Sequence, residues 1–298
     1  MEYYNLLLPN INEDKVKKLH RFEVEVFKES KNKIKIVKKL KALQIEISYF
    51  NNPIIVLDRI KESELINLLG MCEYRFRKGV GYKGEIYRLK FKEKEKGKFV
   101  FYRFKKEGKK LKEDTNNILK LEEKSLKYIY PLVLSPDITD NGLKWSENYI
   151  IFPYEYGKKQ PISEETFQLE ASDLYNYLNA RREEILNQSK YNKRIQHVKE
   201  FYGVIRVGEY SYSNFFVAMR DNTKLTACIV EKIKTHWGEY KNPIFDNHVS
   251  YVPVNSKEEA EYLVEKLRNK KLRHIAKLIF DPRSIGCRLP FKIKKYKS

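Results

Sequence analysis

The sequence has no apolar run of the ~18–20 residues that a membrane-crossing helix requires, so no span is expected. Its first residues, MEYYNLLLPNINEDK, carry neither a basic start nor a long apolar core, and no secretory signal is expected there. Cysteine is scarce. Cys72, Cys228 and Cys287 lie far apart and form neither an even disulfide framework nor a CxxC pair, which suits a reducing, cytoplasmic compartment. The histidines His20, His197, His236, His248 and His274 make no HxxxH pattern and no Cys/His cluster, so no metal site is expected. A GxSxG nucleophile turn is missing, as are internal repeats and low-complexity tracts.

What is present is positive charge in particular places. Lys and Arg number 60 against 40 Asp and Glu, a net +20. Residues 88–112 hold 12 Lys/Arg and 3 Glu, residues 266–298 hold 12 Lys/Arg and 1 Asp, and the rest of the chain balances at 36 against 36. Two concentrated basic segments are the footprint of a polyanion binder, with lysines supplying salt-dependent phosphate contacts. The competing reading is a solvated hairpin and a basic tail. With 298 residues, 42% hydrophobic and 13% aromatic, the chain can bury a core, as one elaborated domain or two lobes. The expected division is an N-terminal lobe over 1–150 with the basic hairpin and a C-terminal recognition lobe over 151–298 with helices and the basic tail.

The patterning predicts a mixed α+β fold of short strands and hairpins with two or more packing helices. FEVEVFK (22–28) alternates as a half-buried strand does, and IIVL (54–57) reads as a short buried strand. KESELINLL (61–69) reads as a brief helix stopped by Gly70. EIYRLKFK (85–92) and KFVFYRFK (98–105) form the clearest hairpin, joined by EKEKG and carrying one apolar and one basic face. Residues 118–130 read as part helix ending before Pro131, and 148–152 as a buried strand. A long helix is expected after Ser163, with the stripe Leu169, Leu174, Leu178, Ile185. Strands follow over 202–207, 214–219, 225–230 and 249–254. A last helix starts at Ser256 with Glu259 completing a capping box. Loops are expected over 113–117 and 139–147.

One set of blocks is informative by its order: Gly79-Val80-Gly81, then Leu121-Glu122, Pro131-Leu132-Val133, Asp137-Ile138, Pro153-Tyr154, and the Tyr-Gly-Val-Ile-Arg segment over 202–206. Over roughly residues 70–290 this order resembles the target-recognition region of adenine-specific DNA methyltransferases of the type IIG restriction–modification kind. The family's catalytic half carries an Asn-Pro-Pro-Tyr-type tetrapeptide that cradles a flipped adenine; here Asn51-Asn52-Pro53-Ile54 lacks the second proline and the aromatic. The glycine-rich turn that binds S-adenosylmethionine is also missing, since Gly79-Val80-Gly81-Tyr82 has no third glycine in register. The resemblance therefore implies the DNA-reading half alone. It implies double-stranded DNA as partner, no cofactor in this chain, and S-adenosylmethionine on an adenine methyltransferase subunit supplied in trans.

No catalytic residue is assigned. The candidate DNA contacts are Arg75, Arg77, Lys78 and Lys83 around the glycine turn, and Lys94, Lys96 and Lys98 on the hairpin. Tyr154, Arg206, Tyr210, Tyr212 and Asn214 complete the set. Arg suits bidentate contact with guanine and Asn with adenine. Tyr154 is either a base-stacking group or a core aromatic with a wet hydroxyl, and the glycine turn is either a phosphate approach or an ordinary turn. Two rival functions stay open. A type II endonuclease with this recognition domain would hold magnesium through Asp and Glu-x-Lys, for which Asp114, Glu122 and Lys124 are the best candidates. An RNA-binding protein would use the basic, aromatic-interleaved hairpin for single-strand stacking.

Overall fold

The structure is a computed structural model. It describes residues 68–108, 110–187, 198–220, 224–278 and 289–297, together with the backbone of four further strands, β1 (Glu2–Asn5), β2 (Leu19–Ser30), β3 (Lys33–Ile45) and β4 (Ile54–Leu57). The chain is α+β. It forms two compact units: Met1–Arg75 with Asn222–Leu225 and Glu265–Ser298, and Phe76–Asp221 with Thr226–Val264.

The first unit contains an antiparallel sheet in the order β1-β2-β3-β4. The alternating 22–28 segment lies within β2 and IIVL coincides with β4. The helix expected over 61–69 falls mainly outside the described residues. In the same unit the C-terminal segment returns to residues 69–73: Leu69 bridges Phe291, Cys72 bridges Ile293, and both Phe291 and Ile293 are buried.

The second unit begins with β5 (Arg77–Lys78) and a single helical turn, α1 (Gly84–Tyr87). It continues with β6 (Arg88–Glu95), β7 (Lys98–Glu107), β8 (Lys110–Leu121), β9 (Ile129–Val133), β10 (Ile138–Thr139), β11 (Gly142–Leu143) and β12 (Asn148–Ile151). Three short helices follow, α2 (Glu164–Glu170), α3 (Ser172–Asn179) and α4 (Arg182–Leu186). The remaining strands are β13 (Phe215–Met219), β14 (Ala227–Val230), β15 (Ile233–Lys234), β16 (Tyr240–Lys241), β17 (Ile244–Phe245) and β18 (Ser250–Val254). α5 (Lys257–Arg268) starts in the second unit and ends in the first, to which α6 (Lys270–Leu278) belongs.

The centre of the second unit is a six-stranded sheet ordered β17-β9-β12-β6-β7-β8. Residue 150 is therefore the middle of an inner strand, and the expected lobe boundary there cuts through a continuous sheet. The sheet shares a core with α2–α4 and residues 201–204 that includes Leu89, Phe101, Tyr149, Phe167, Leu174, Leu178 and Tyr202. A second sheet, β14-β13-β18-β5, packs Phe216, Cys228 and Tyr251 against Val133, Ile138 and Phe245.

Several local expectations change. Residues 113–117 belong to β8 rather than a loop, with an irregularity opposite Tyr102 and Arg103. Residues 118–130 divide into strand, a 3-10 helix over Glu123–Tyr128, and the start of β9. Pro131 is tolerated inside β9 because β17 pairs only with Leu132 and Val133, so no ladder donor is missed on that side. The long helix after Ser163 is three short ones. Ser163 does cap the first, accepting from Thr166 N at 3.2 Å. Leu174, Leu178 and Ile185 are buried, but Leu169 is 80% exposed. Residues 202–207 form one bridge, Gly81 to Ile205, rather than a strand.

Candidate nucleic-acid interface

The basic hairpin is β6–β7, and its tip is set by two residues. Glu95 pairs with Lys98, leaving Lys96 (φ 49°) and Gly97 (φ 77°) as the turn. Two successive positive φ values describe the type I′ loop whose twist matches the flanking strands. Alternation buries Phe99 and Phe101 and leaves lysines outside. Several of those lysines meet carboxylates: Lys90–Glu147 at 3.3 Å, Lys92–Glu93 at 2.8 Å and Lys105–Glu107 at 3.6 Å. Lysines of the adjoining β8 pair with hairpin glutamates, Lys112–Glu107 at 2.6 Å and Lys120–Glu95 at 2.9 Å. These contacts hold Glu95 and Glu107 below the usual carboxylate range, through the hydrogen bonds from Lys120 and Lys112 first. All are exposed pairs, which contribute little and exchange readily with phosphate. Lys94 sits 4.6 Å over the Phe99 ring and 4.0 Å from Glu123. Lys96, Lys98, Lys106 and Lys110 have no ion pair among the described residues.

A second group forms around β5. Arg77 lies 5.1 Å over the Tyr210 ring, and Tyr210 tilts against Tyr251 at 6.2 Å. Lys78 pairs in the ladder with Ser250. Arg206, held at φ 67°, donates from Nη1 to Gly79 O at 3.3 Å. A non-glycine residue in this conformation is strained, and such strain gathers at functional positions. Thus four of the expected contacts, Arg77, Lys78, Arg206 and Tyr210, come together. Asn214 is exposed at the entrance to β13. Tyr212 is partly buried, donating to Lys158 O at 2.8 Å and packing 5.1 Å from the ring of Tyr156, which is 64% exposed. Arg75 is exposed in the first unit.

Other expectations are corrected. Tyr154 is 1% exposed; its hydroxyl donates to Val204 O and accepts from Val204 N, so it is a core aromatic that no base can reach. Burial pushes its phenol pKa up, against the smaller opposing effect of the hydrogen bond from Val204 N. The glycine turn is likewise interior. Gly79 N, Val80 N and Gly81 N donate to Val249 O, Phe245 O and Ile205 O, so these three groups are committed inside the fold. Gly79 is needed for packing: a Cβ there would lie 2.1 Å from Asp246 O. Lys83, by contrast, pairs at 2.5 Å with the exposed Glu184, an exchangeable contact like those on the hairpin. The Asp114–Glu122 pair considered for magnesium fails on distance. Both belong to one strand and its continuation, and the paired register from Arg103 to Phe99 already separates them by roughly 13 Å at ~3.3 Å per residue. Asp114 instead binds Asn116 N and Asn117 Nδ2.

The sequence reading missed a cavity of about 610 Å³ at the base of the hairpin, lined in part by Arg88, Lys106, Lys110 and His248. Only the Asp246-x-His248 spacing hinted at it. Among the described residues, no three His, Cys, Asp or Glu groups converge as a metal site, and no helix is long and apolar enough to cross a membrane. No protein-family model matches the chain, and no curated protein matches it.

Proposed function

We propose that this chain recognises double-stranded DNA in a sequence-specific way, as the specificity module of a cytoplasmic restriction–modification system of the adenine-methylating kind. One observation carries the reading. The chain's entire charge excess lies in two segments, and in the first of them Lys96, Lys98, Lys106 and Lys110 meet no carboxylate among the described residues. The hairpin lysines grip phosphate, which positions the duplex without reading it. The Arg77, Lys78, Arg206 and Tyr210 group, together with the exposed Asn214 at the other end of the same sheet, supplies the side-chain types that read base edges.

The direct test is anisotropy of a labelled random-sequence duplex and of a single-stranded RNA, each titrated at two salt concentrations. Preference for the duplex supports the reading; preference for RNA replaces it with single-strand binding. Cleavage of the duplex by the purified chain with magnesium would make it an endonuclease instead. Methylation is assigned to a partner subunit, so calorimetry with S-adenosylmethionine and the isolated chain is expected to show no heat of binding. Saturable binding there would place the catalytic half in this chain.

A further inference from the structure

The cavity at the base of the hairpin holds an unusual cation. Arg88 is half-buried; its Nε donates to Asn148 Oδ1 at 2.9 Å and its guanidinium lies 4.2 Å over the Phe104 ring. Asp246, Asp137 and Glu113 influence it at a distance, but none pairs with it. A guanidinium stays charged, and a charge withdrawn from water without a partner is costly. Lys106 and Lys110, at the ends of β7 and β8, line the same cavity, and neither forms an ion pair among the described residues. Two carboxylates share the lining, Glu85 and the part-buried Asp246, so the three cations exceed them by one, and Asp246 is committed to other partners. Asp246 Oδ2 accepts from Tyr82 at 2.9 Å, and Oδ1 accepts from His248 N at 3.0 Å and lies 2.9 Å from His248 Nδ1. The His248 ring is thereby oriented, with Nε2 at its free edge.

The frame around these groups is rigid. Asp246 N donates to Val133 O at 3.0 Å, β17 pairs in parallel with β9, and Val80 bridges Asp246. Apolar surface completes the lining at Leu111, Leu134 and Pro136. Gly84 has a shaping role, because a Cβ there would meet Leu111 Cδ2 at 2.7 Å. The volume falls within the range of small-molecule sites, ~300–1,000 Å³, and exceeds what a bare phosphate fills.

We propose that this cavity binds the phosphate of a nucleotide, with the anion between Arg88, Lys106 and Lys110 and the sugar and base against Leu111, Leu134 and Pro136. The choice of a nucleotide rests on the nucleic-acid reading above; the need for an anion rests on Arg88 and the two lysines. The phosphate comes either from a bound strand or from a free nucleotide.

The experiment uses the full chain and three probes, dAMP, deoxyadenosine and inorganic phosphate, followed by calorimetry, with a duplex as competitor. Lys106→Gln/Lys110→Gln is the principal variant, since both side chains are exposed and unpaired and the fold does not depend on them. Lys96→Gln/Lys98→Gln at the hairpin tip is the control. The expected result is that dAMP binds more tightly than phosphate, deoxyadenosine does not bind, the cavity variant weakens dAMP at least tenfold, and the tip variant leaves dAMP unchanged. Displacement of dAMP by duplex identifies a strand phosphate as the occupant; simultaneous binding identifies a free nucleotide. Absence of cavity-dependent binding by any phosphate probe overturns the proposal, even if the duplex binds. Absence of duplex binding while dAMP behaves as expected overturns the DNA reading and leaves the site intact.

Discussion

A glycine and a lysine show what single residues contribute. Gly79 has ordinary backbone angles, so its requirement is steric: any Cβ meets the Phe245 and Asp246 carbonyls at about 2.1–2.2 Å. Gly79→Ala is expected to destabilise the chain by about 3 kcal/mol, at the upper end for overpacking because the obstructing atoms are backbone. A denaturant midpoint unchanged from wild type would contradict this. Lys241 presents the opposite problem, a buried cation among acceptors. Its ammonium donates to the carbonyls of Leu126, Lys127 and Ile129, lies 3.4 Å from Glu239, and sits over the Tyr130 and Trp237 rings. Burial outweighs the opposing pull of Glu239 and lowers its pKa to about 8. The unfolded chain, with a pKa near 10.5, then binds the extra proton between these values, so stability from this group rises as pH goes from about 8 to 10.5. Wild type should gain on the order of 2–3 kcal/mol over Lys241→Met across that window. A stability difference that is flat with pH would show that the amine stays charged in the fold.

At the scale of elements, the hairpin tip separates conformation from contact. Gly97 has φ 77°, and a Cβ added there would meet nothing within 4 Å, so any cost of substitution is conformational. Gly97→Val should cost about 1–2 kcal/mol, whereas Gly97→Asn should be nearly neutral, because asparagine tolerates the left-handed region. Equal costs for the two, measured by chemical denaturation, would exclude the type I′ turn. This hairpin was legible in the sequence because alternation and a glycine turn agree at short range. The helix after Ser163 was legible only in part. Leu174 and Leu178 are one turn apart and share a face, but Leu169 precedes Leu174 by five residues, which at ~100° per residue places it away from that face. It is exposed, and the helix breaks at Ala171 (φ −149°). The lobe boundary at 150 misplaced the division for a different reason. β17 is two residues long and joins β9 in parallel across more than a hundred positions, a pairing that no local pattern announces. The candidate site divided likewise. Exposed lysines could be read from composition, but the burial of Tyr154 depends on Val204, fifty positions away.

For the whole molecule, the charge distribution and the two clusters lead to one discriminating experiment. If lysines grip the backbone, log K should fall with log salt, each neutralised phosphate contributing about −0.9 to the slope. A slope shallower than about −2 would leave too few phosphate contacts for the reading. Neutralising Lys94, Lys96 and Lys98 removes charge at the hairpin tip, where Lys96 and Lys98 have no carboxylate to release among the described residues. That change should weaken cognate and scrambled duplexes alike and flatten the slope. Arg206 differs because its backbone is held at φ 67° and one nitrogen is committed to Gly79 O, which fixes the guanidinium rather than leaving it to sweep through solvent. Arg206→Ala should therefore cost about 1–3 kcal/mol on the cognate site and little on the scrambled one, as loss of a positioned base contact does. Equal weakening of both duplexes would make Arg206 a phosphate contact. A lysine change that affects only the cognate site would make the hairpin the reading element and reverse the two roles.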